Sequence, residues 1–104
     1  MISLTAVAAR VRGVDVETLH VWVEQDWVRP RREAGHPVFE EIDVARVRLI
    51  ADLRELDVGD AAIPVVLSLL DQLHATRAQM ERLCIALDGA ADERVRDLVQ
   101  RLVR

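Results

Sequence analysis

The sequence predicts a mainly α chain: two short helices joined by a tight turn, a small two-stranded wing, a third helix, then a long helix and a short C-terminal helix. Three observations predict it. Near the N-terminus Leu4, Val7, Ala8 and Val11 recur at i, i+3, i+4 and i+7, the spacing of one helix face. Around residues 27–39 two short runs rich in Trp, Val and Phe flank a loop containing Gly35, the pattern of a hairpin. From Asp60 to Asp88 apolar residues continue in alternating steps of four and three, as a long packing helix requires.

The first helix is expected after Ser3, whose hydroxyl suits a cap. Arg12-Gly13-Val14 makes the turn, with Gly13 free to adopt positive φ. Asp15 caps the second helix, which turns Leu19, Trp22 and Val23 inward. Trp27-Val28-Arg29-Pro30 and Pro37-Val38-Phe39 read as the wing strands, joined by residues 31–36, with prolines suited to edge positions. A third helix from about Glu41 buries Ile42, Val47, Ile50 and Leu53. Asp57-Val58-Gly59 breaks it, and Asp60 caps the long helix, with Pro64 in the first turn where a missing N–H is tolerated.

Two overlapping seams run along that helix. One holds Val66, Leu70, Leu73, Arg77, Met80, Cys84 and Leu87; the other holds Leu69, Leu73, Thr76, Met80, Leu83 and Leu87. A stripe this wide reads as a two-sided packing surface, and Leu69, Leu70, Leu73, Met80, Leu83 and Leu87 are the expected homodimer contacts. Gly89-Ala90-Ala91 ends the helix and Asp92 caps a tail helix with Val95, Leu98, Val99, Leu102 and Val103 inward. The expected division is a domain at 1–57 and a dimerisation region at 58–104.

Charge limits the partners. Net charge is −4 and all fourteen basic residues are Arg. Residues 1–57 hold eight Arg against eleven Asp plus Glu, a net of −3, which disfavours DNA, whose binders concentrate positive charge. No apolar run reaches the roughly 18 residues of a membrane span, since Asp71 and His74 interrupt the longest. The N-terminal Met-Ile-Ser-Leu-Thr has no basic leader, so a cytoplasmic location is expected. Cys84, the lone cysteine, is expected as a buried packing thiol. His20, His36 and His74 fall on different elements without a paired nucleophile, and the four glycines are isolated, so neither catalysis nor a cofactor is expected.

The acidic set Asp15, Glu17, Glu24 and Asp26 lies on and around the second helix. Each alone reads as solvated surface; together they suit a basic protein partner. Trp22 and Trp27 are expected in the core, although a pair there could also clamp a partner. Arg29, Arg31 and Arg32 in the wing are the residues that would hold phosphates if DNA is bound, and a solvated loop explains them equally well.

Thr18-Leu19-His20, Trp27-Val28-Arg29-Pro30, Gly35-His36-Pro37-Val38-Phe39 and Asp43-Val44-Ala45-Arg46-Val47-Arg48-Leu49-Ile50 together resemble the winged helix-turn-helix of MerR-type regulators. That family grips DNA with Thr-Leu-Arg and Gly-Tyr-Arg; here His20 replaces the first Arg, and His36-Pro37 replaces Tyr-Arg. Adding Trp22-Val23-Glu24 and the stretch Ile63–Leu73 (Ile-Pro-Val-Val-Leu-Ser-Leu-Leu-Asp-Gln-Leu), residues 2–88 look like the CbpM chaperone modulators. That resemblance implies a dimeric, MerR-like adaptor that binds the J domain of a DnaJ/CbpA-type co-chaperone and blocks both its stimulation of DnaK and its DNA binding. No contact residue transfers by motif. Asp15, Glu17, His20, Glu24 and Asp26 are therefore the partner-binding expectation from the residues themselves. A MerR-family transcriptional regulator on a palindromic operator is the alternative, and a bare dimerisation module is the third reading.

Overall fold

The computed structural model describes residues 1–88 and 93–103. It is mainly helical, with a three-stranded antiparallel sheet in the order β1-β3-β2. In chain order the elements are β1 (Ile2–Ser3), α1 (Leu4–Arg10), α2 (Val16–Glu24), β2 (Arg31–Glu33), β3 (His36–Phe39), α3 (Glu41–Glu55), α4 (Ile63–Leu87) and α5 (Glu93–Val103). Two compact units result, Met1–Val65 and Val66–Arg104. Among the described residues no helix is long and apolar enough to cross a membrane.

Local chemistry accounts for the first unit. Ser3 caps α1 by accepting a bond from the Ala6 N–H at 3.2 Å, and Val14 N–H closes the following turn on Val11 C=O with Gly13 at φ 82°. Both α2 and α3 end in Schellman motifs with aspartate in the left-handed position. At α2, Asp26 has φ 61°, Asp26 N–H donates to Val23 C=O and Trp27 N–H to Trp22 C=O. At α3, Asp57 has φ 61°, Asp57 N–H donates to Arg54 C=O and Val58 N–H to Leu53 C=O. The N-terminus of α3 is held from the other side, where Asp43 accepts from Glu40 N–H at 2.9 Å, one half of a capping box.

The wing differs from expectation in placement. Trp27–Pro30 is not a strand: Trp27 is spent closing the α2 Schellman motif, so the chain extends only from Arg31. The hairpin is Arg31–Glu33 against His36–Phe39, paired Arg31↔Val38, Arg32↔Pro37 and Glu33↔His36. Its two loop residues, Ala34 and Gly35, have φ of 50° and 80°, as a type I′ turn requires. A third strand, unforeseen, joins the other side of β3 through Ile2↔Phe39 and Ser3↔Val38. Pro37 thereby sits in the central strand, yet β1 ends at Val38. Alternating pairs along β2–β3 turn the proline nitrogen to that unpaired side, so no ladder bond is lost.

Val7, Val11, Val14, Leu19, Trp22, Trp27, Val28, Phe39, Val44, Val47, Ile50 and Ile63 form the core of this unit. Ile42, expected inside, is 69% exposed. It lies two positions before Val44, on the opposite side of α3 from the Val44–Val47–Ile50 stripe. Leu53 is half-buried. The long helix starts at Ile63 rather than at an Asp60 cap, because Ala62 and Ile63 N–H both bond Gly59 C=O in a preceding turn. Asp60 instead faces Arg54 at 3.7 Å.

In the second unit α4 carries Leu69, Leu73, Leu83 and Ile85 exposed, with Val66, Leu70, Met80, Cys84 and Leu87 half-buried. Cys84 is thus less buried than expected. On α5 Leu98 and Leu102 are exposed, not inward. The expected helix stop at Gly89-Ala90-Ala91 and the Asp92 cap lie outside the described residues, as do the Val95, Val99 and Val103 side chains.

Candidate interaction surface on α2 and the wing

The inner face of α2 is anchored by Leu19 and Trp22, both buried, and the Schellman turn brings Trp27 beside Trp22 with ring centroids 6.3 Å apart at 33°. This is the apolar contact that commonly closes such a motif, and it places both indoles in the core as expected. Fixing the inner face fixes the outer one. Glu17, His20, Val21 and Glu24 are exposed at i, i+3, i+4 and i+7, a single outward stripe, with Asp15 and Asp26 exposed at its two ends.

Of the five expected partner-binding residues, Glu17, His20 and Glu24 share this stripe, and Asp15 and Asp26 are exposed at the two ends of the helix. Asp15 accepts from Thr18 N–H at 2.7 Å, and that bond holds its carboxyl below the usual carboxylate range. His20 Nε2 lies 3.0 Å from Glu24 Oε1 one helical turn away. The stripe carries no cation of fixed charge, since no Arg occurs between Arg12 and Arg29. Val21, exposed at its centre, was missed in the sequence: a lone valine beside a buried tryptophan gives no signal until the helix phase is set.

The three wing arginines do not form one cluster. Arg31 and Arg32 are consecutive on β2 and so project from opposite faces. Arg31 is engaged by Glu40 at 3.4 Å, and Arg32 Nη1 donates to Gly35 C=O at 3.4 Å in the hairpin loop. Arg29 is exposed ahead of the hairpin. His36 is exposed opposite Glu33, and His74 lies exposed on α4. Among the described residues no group of three or more His, Cys, Asp or Glu could hold a metal.

Residues 4–70 match the profile of the MerR HTH family regulatory proteins. No significant match is found among curated proteins or among solved structures. The profile describes the helix-turn-helix family as a whole and carries nothing specific to chaperone modulators.

Proposed function

Because the chain belongs to the MerR HTH family of regulatory proteins, we propose that it regulates through a protein partner, as a CbpM-like modulator that binds the J domain of a DnaJ/CbpA-type co-chaperone and blocks its action on DnaK. One observation carries this reading. The second helix of the helix-turn-helix, which reads the major groove in DNA-binding members of such folds, presents Glu17, His20, Val21 and Glu24 between Asp15 and Asp26. Phosphate backbones repel such a surface, whereas a basic helix on a protein complements it and is steered toward it. The protein acts as a homodimer, with Leu69, Leu70, Leu73, Met80, Leu83 and Leu87 of α4 at the seam.

Calorimetric titration with the J domain of the cognate co-chaperone tests it. One J domain binds per chain, and Glu24→Gln with Asp26→Asn weakens binding on the order of tenfold and flattens its salt dependence. Asn is the right replacement at Asp26, because it tolerates the left-handed φ of 61° that the Schellman motif needs. No heat at high micromolar concentration overturns the proposal.

The competing reading is a DNA-binding regulator, favoured by the family and by exposed Arg29, Arg31 and Arg32. It requires a DNA affinity that falls steeply with salt and depends on those three arginines.

A further inference from the structure

Beside the acidic stripe, a cavity of about 300 Å³ opens between the α1–α2 turn, α2 and the last turn of α3. Its walls include Arg12, Gly13, Thr18, Trp22, Arg54 and Glu55. Two arginines thus line one concavity on the edge of an otherwise anionic face. The Arg54 guanidinium lies over the Trp22 ring, 5.9 Å from its centroid, and the ring is a fixed wall because it is buried in the Schellman contact with Trp27. Arg12 is exposed just before Gly13 and forms no ion pair among the described residues. Thr18 turns both its backbone N–H and its side chain to Asp15, so the two arginines are the donors left on this wall.

We propose that this cavity receives one acidic side chain of the protein that docks on α2, an inference that rests on α2 being a protein-binding surface. Arg12 and Arg54 grip the carboxylate. Arg54 already faces a carboxylate, that of Asp60, but at 3.7 Å, longer than a charge-assisted hydrogen bond. An incoming carboxylate that reaches both guanidiniums replaces that contact with a shorter, two-point one. Glu55 on the wall and Asp60 beside Arg54 already offset the two arginines, so there is room for one carboxylate that displaces Asp60 and not for a phosphate dianion. A nucleic acid would have to bring its backbone past Asp15 and Glu17 to reach it. A peptide segment with basic residues around one acidic residue fits this arrangement, its basic residues facing the acidic stripe and its acidic residue facing Arg12 and Arg54.

The test is a two-dimensional NMR titration of the 104-residue chain with a short peptide carrying one Asp between Lys residues, against the same peptide with Asn in place of Asp. Inorganic phosphate and a short DNA duplex are titrated in parallel. The Asp peptide is expected to shift the Gly13 and Thr18 amide signals and the Arg12 and Arg54 Nε signals to saturation. Arg12→Gln is expected to weaken it about tenfold, the worth of one hydrogen bond to a charged group. The Asn peptide is expected to move only signals of the α2 stripe. Arg12→Gln alters only an exposed turn, and Arg54→Gln repeats the test with the Trp22 indole signal as a second readout. Equal affinities for the Asp and Asn peptides, or unchanged binding in Arg12→Gln, overturn the proposal. Phosphate or duplex saturating the same Arg12 and Arg54 signals also overturns it, in favour of an oxoanion site. A J domain that gives no heat while the Asp peptide fills the cavity sinks the chaperone reading alone; the converse sinks the cavity alone.

Discussion

Ala34 is the residue whose side chain fits its backbone least well. At φ 50° its Cβ approaches the following carbonyl, a conformation that costs an L-residue roughly 1–2 kcal/mol. Asp26 and Asp57 occupy the same region at φ 61° but belong to the small set of polar residues that visit it readily. Ala34 has no such compensation, and it persists because Gly35 and the Glu33↔His36 pair hold the two-residue loop in the I′ geometry. Ala34→Asn restores the preferred Asn-Gly loop. Its expected gain is about 1 kcal/mol, or about 5 °C in Tm by thermal melting. A Tm equal to or below that of the parent chain would contradict the I′ assignment. Gly35 is the opposite case: a side chain there has room, with nothing within 4 Å of an added Cβ, but φ 80° strains any replacement.

Among the elements, α4 leaves several large apolar side chains uncovered, with Leu69, Leu73 and Leu83 exposed along one helix. Leu73 belongs to both seams and is 46% exposed, so a charge placed there disrupts any self-association through either. Leu73→Glu is expected to convert a dimer to a monomer in sedimentation equilibrium while the helical circular dichroism signal is retained. A dimer of unchanged affinity would remove α4 from the interface. The helices were legible in the sequence because their signals are local: Ser3 and Asp15 as caps, Gly13 in the turn, Asp57 at the α3 stop. What was misplaced was decided by competition between elements. Trp27–Pro30 has strand-forming composition, but α2 claims Trp27 first, which moves β2 on to Arg31. The strand at Ile2–Ser3 has two residues and no periodicity to read. The acidic stripe was legible because it lies on one helix of known phase, whereas the Arg12–Arg54 cavity joins residues far apart in the chain that only packing against Trp22 brings together.

At the scale of the molecule, acid response follows from two carboxylates held low. The Arg10 guanidinium grips Glu41 through two hydrogen bonds of 2.8 and 2.9 Å, which tie α1 to the start of α3 and hold the Glu41 carboxyl below its ordinary range. Asp15 is held low by the Thr18 N–H at the α2 cap. Both folded-state pKa values are depressed, so their stabilisation is complete above the unfolded carboxylate range near pH 4 and is lost as pH falls through the folded values. Both groups are exposed, so solvent screens the effect and keeps it modest. Thermal melts at pH 7 and pH 3 are expected to show a smaller acid loss for Asp15→Asn with Glu41→Gln than for the parent chain. Equal losses would assign acid sensitivity to other carboxylates.

The sheet order has a kinetic consequence. The β2–β3 hairpin closes over two residues, whereas Ile2↔Phe39 joins positions separated by α1, α2 and β2. Loop closure of that span costs chain entropy before any β1 contact repays it, so the hairpin can form early and locally while β1 waits on the helices it encloses. The N-terminal strand is then the last stitch in the helix-turn-helix unit and the first to come undone. Under mild denaturation its amides should exchange ahead of those in α2, giving the wing a loosened form in which β3 carries an open edge.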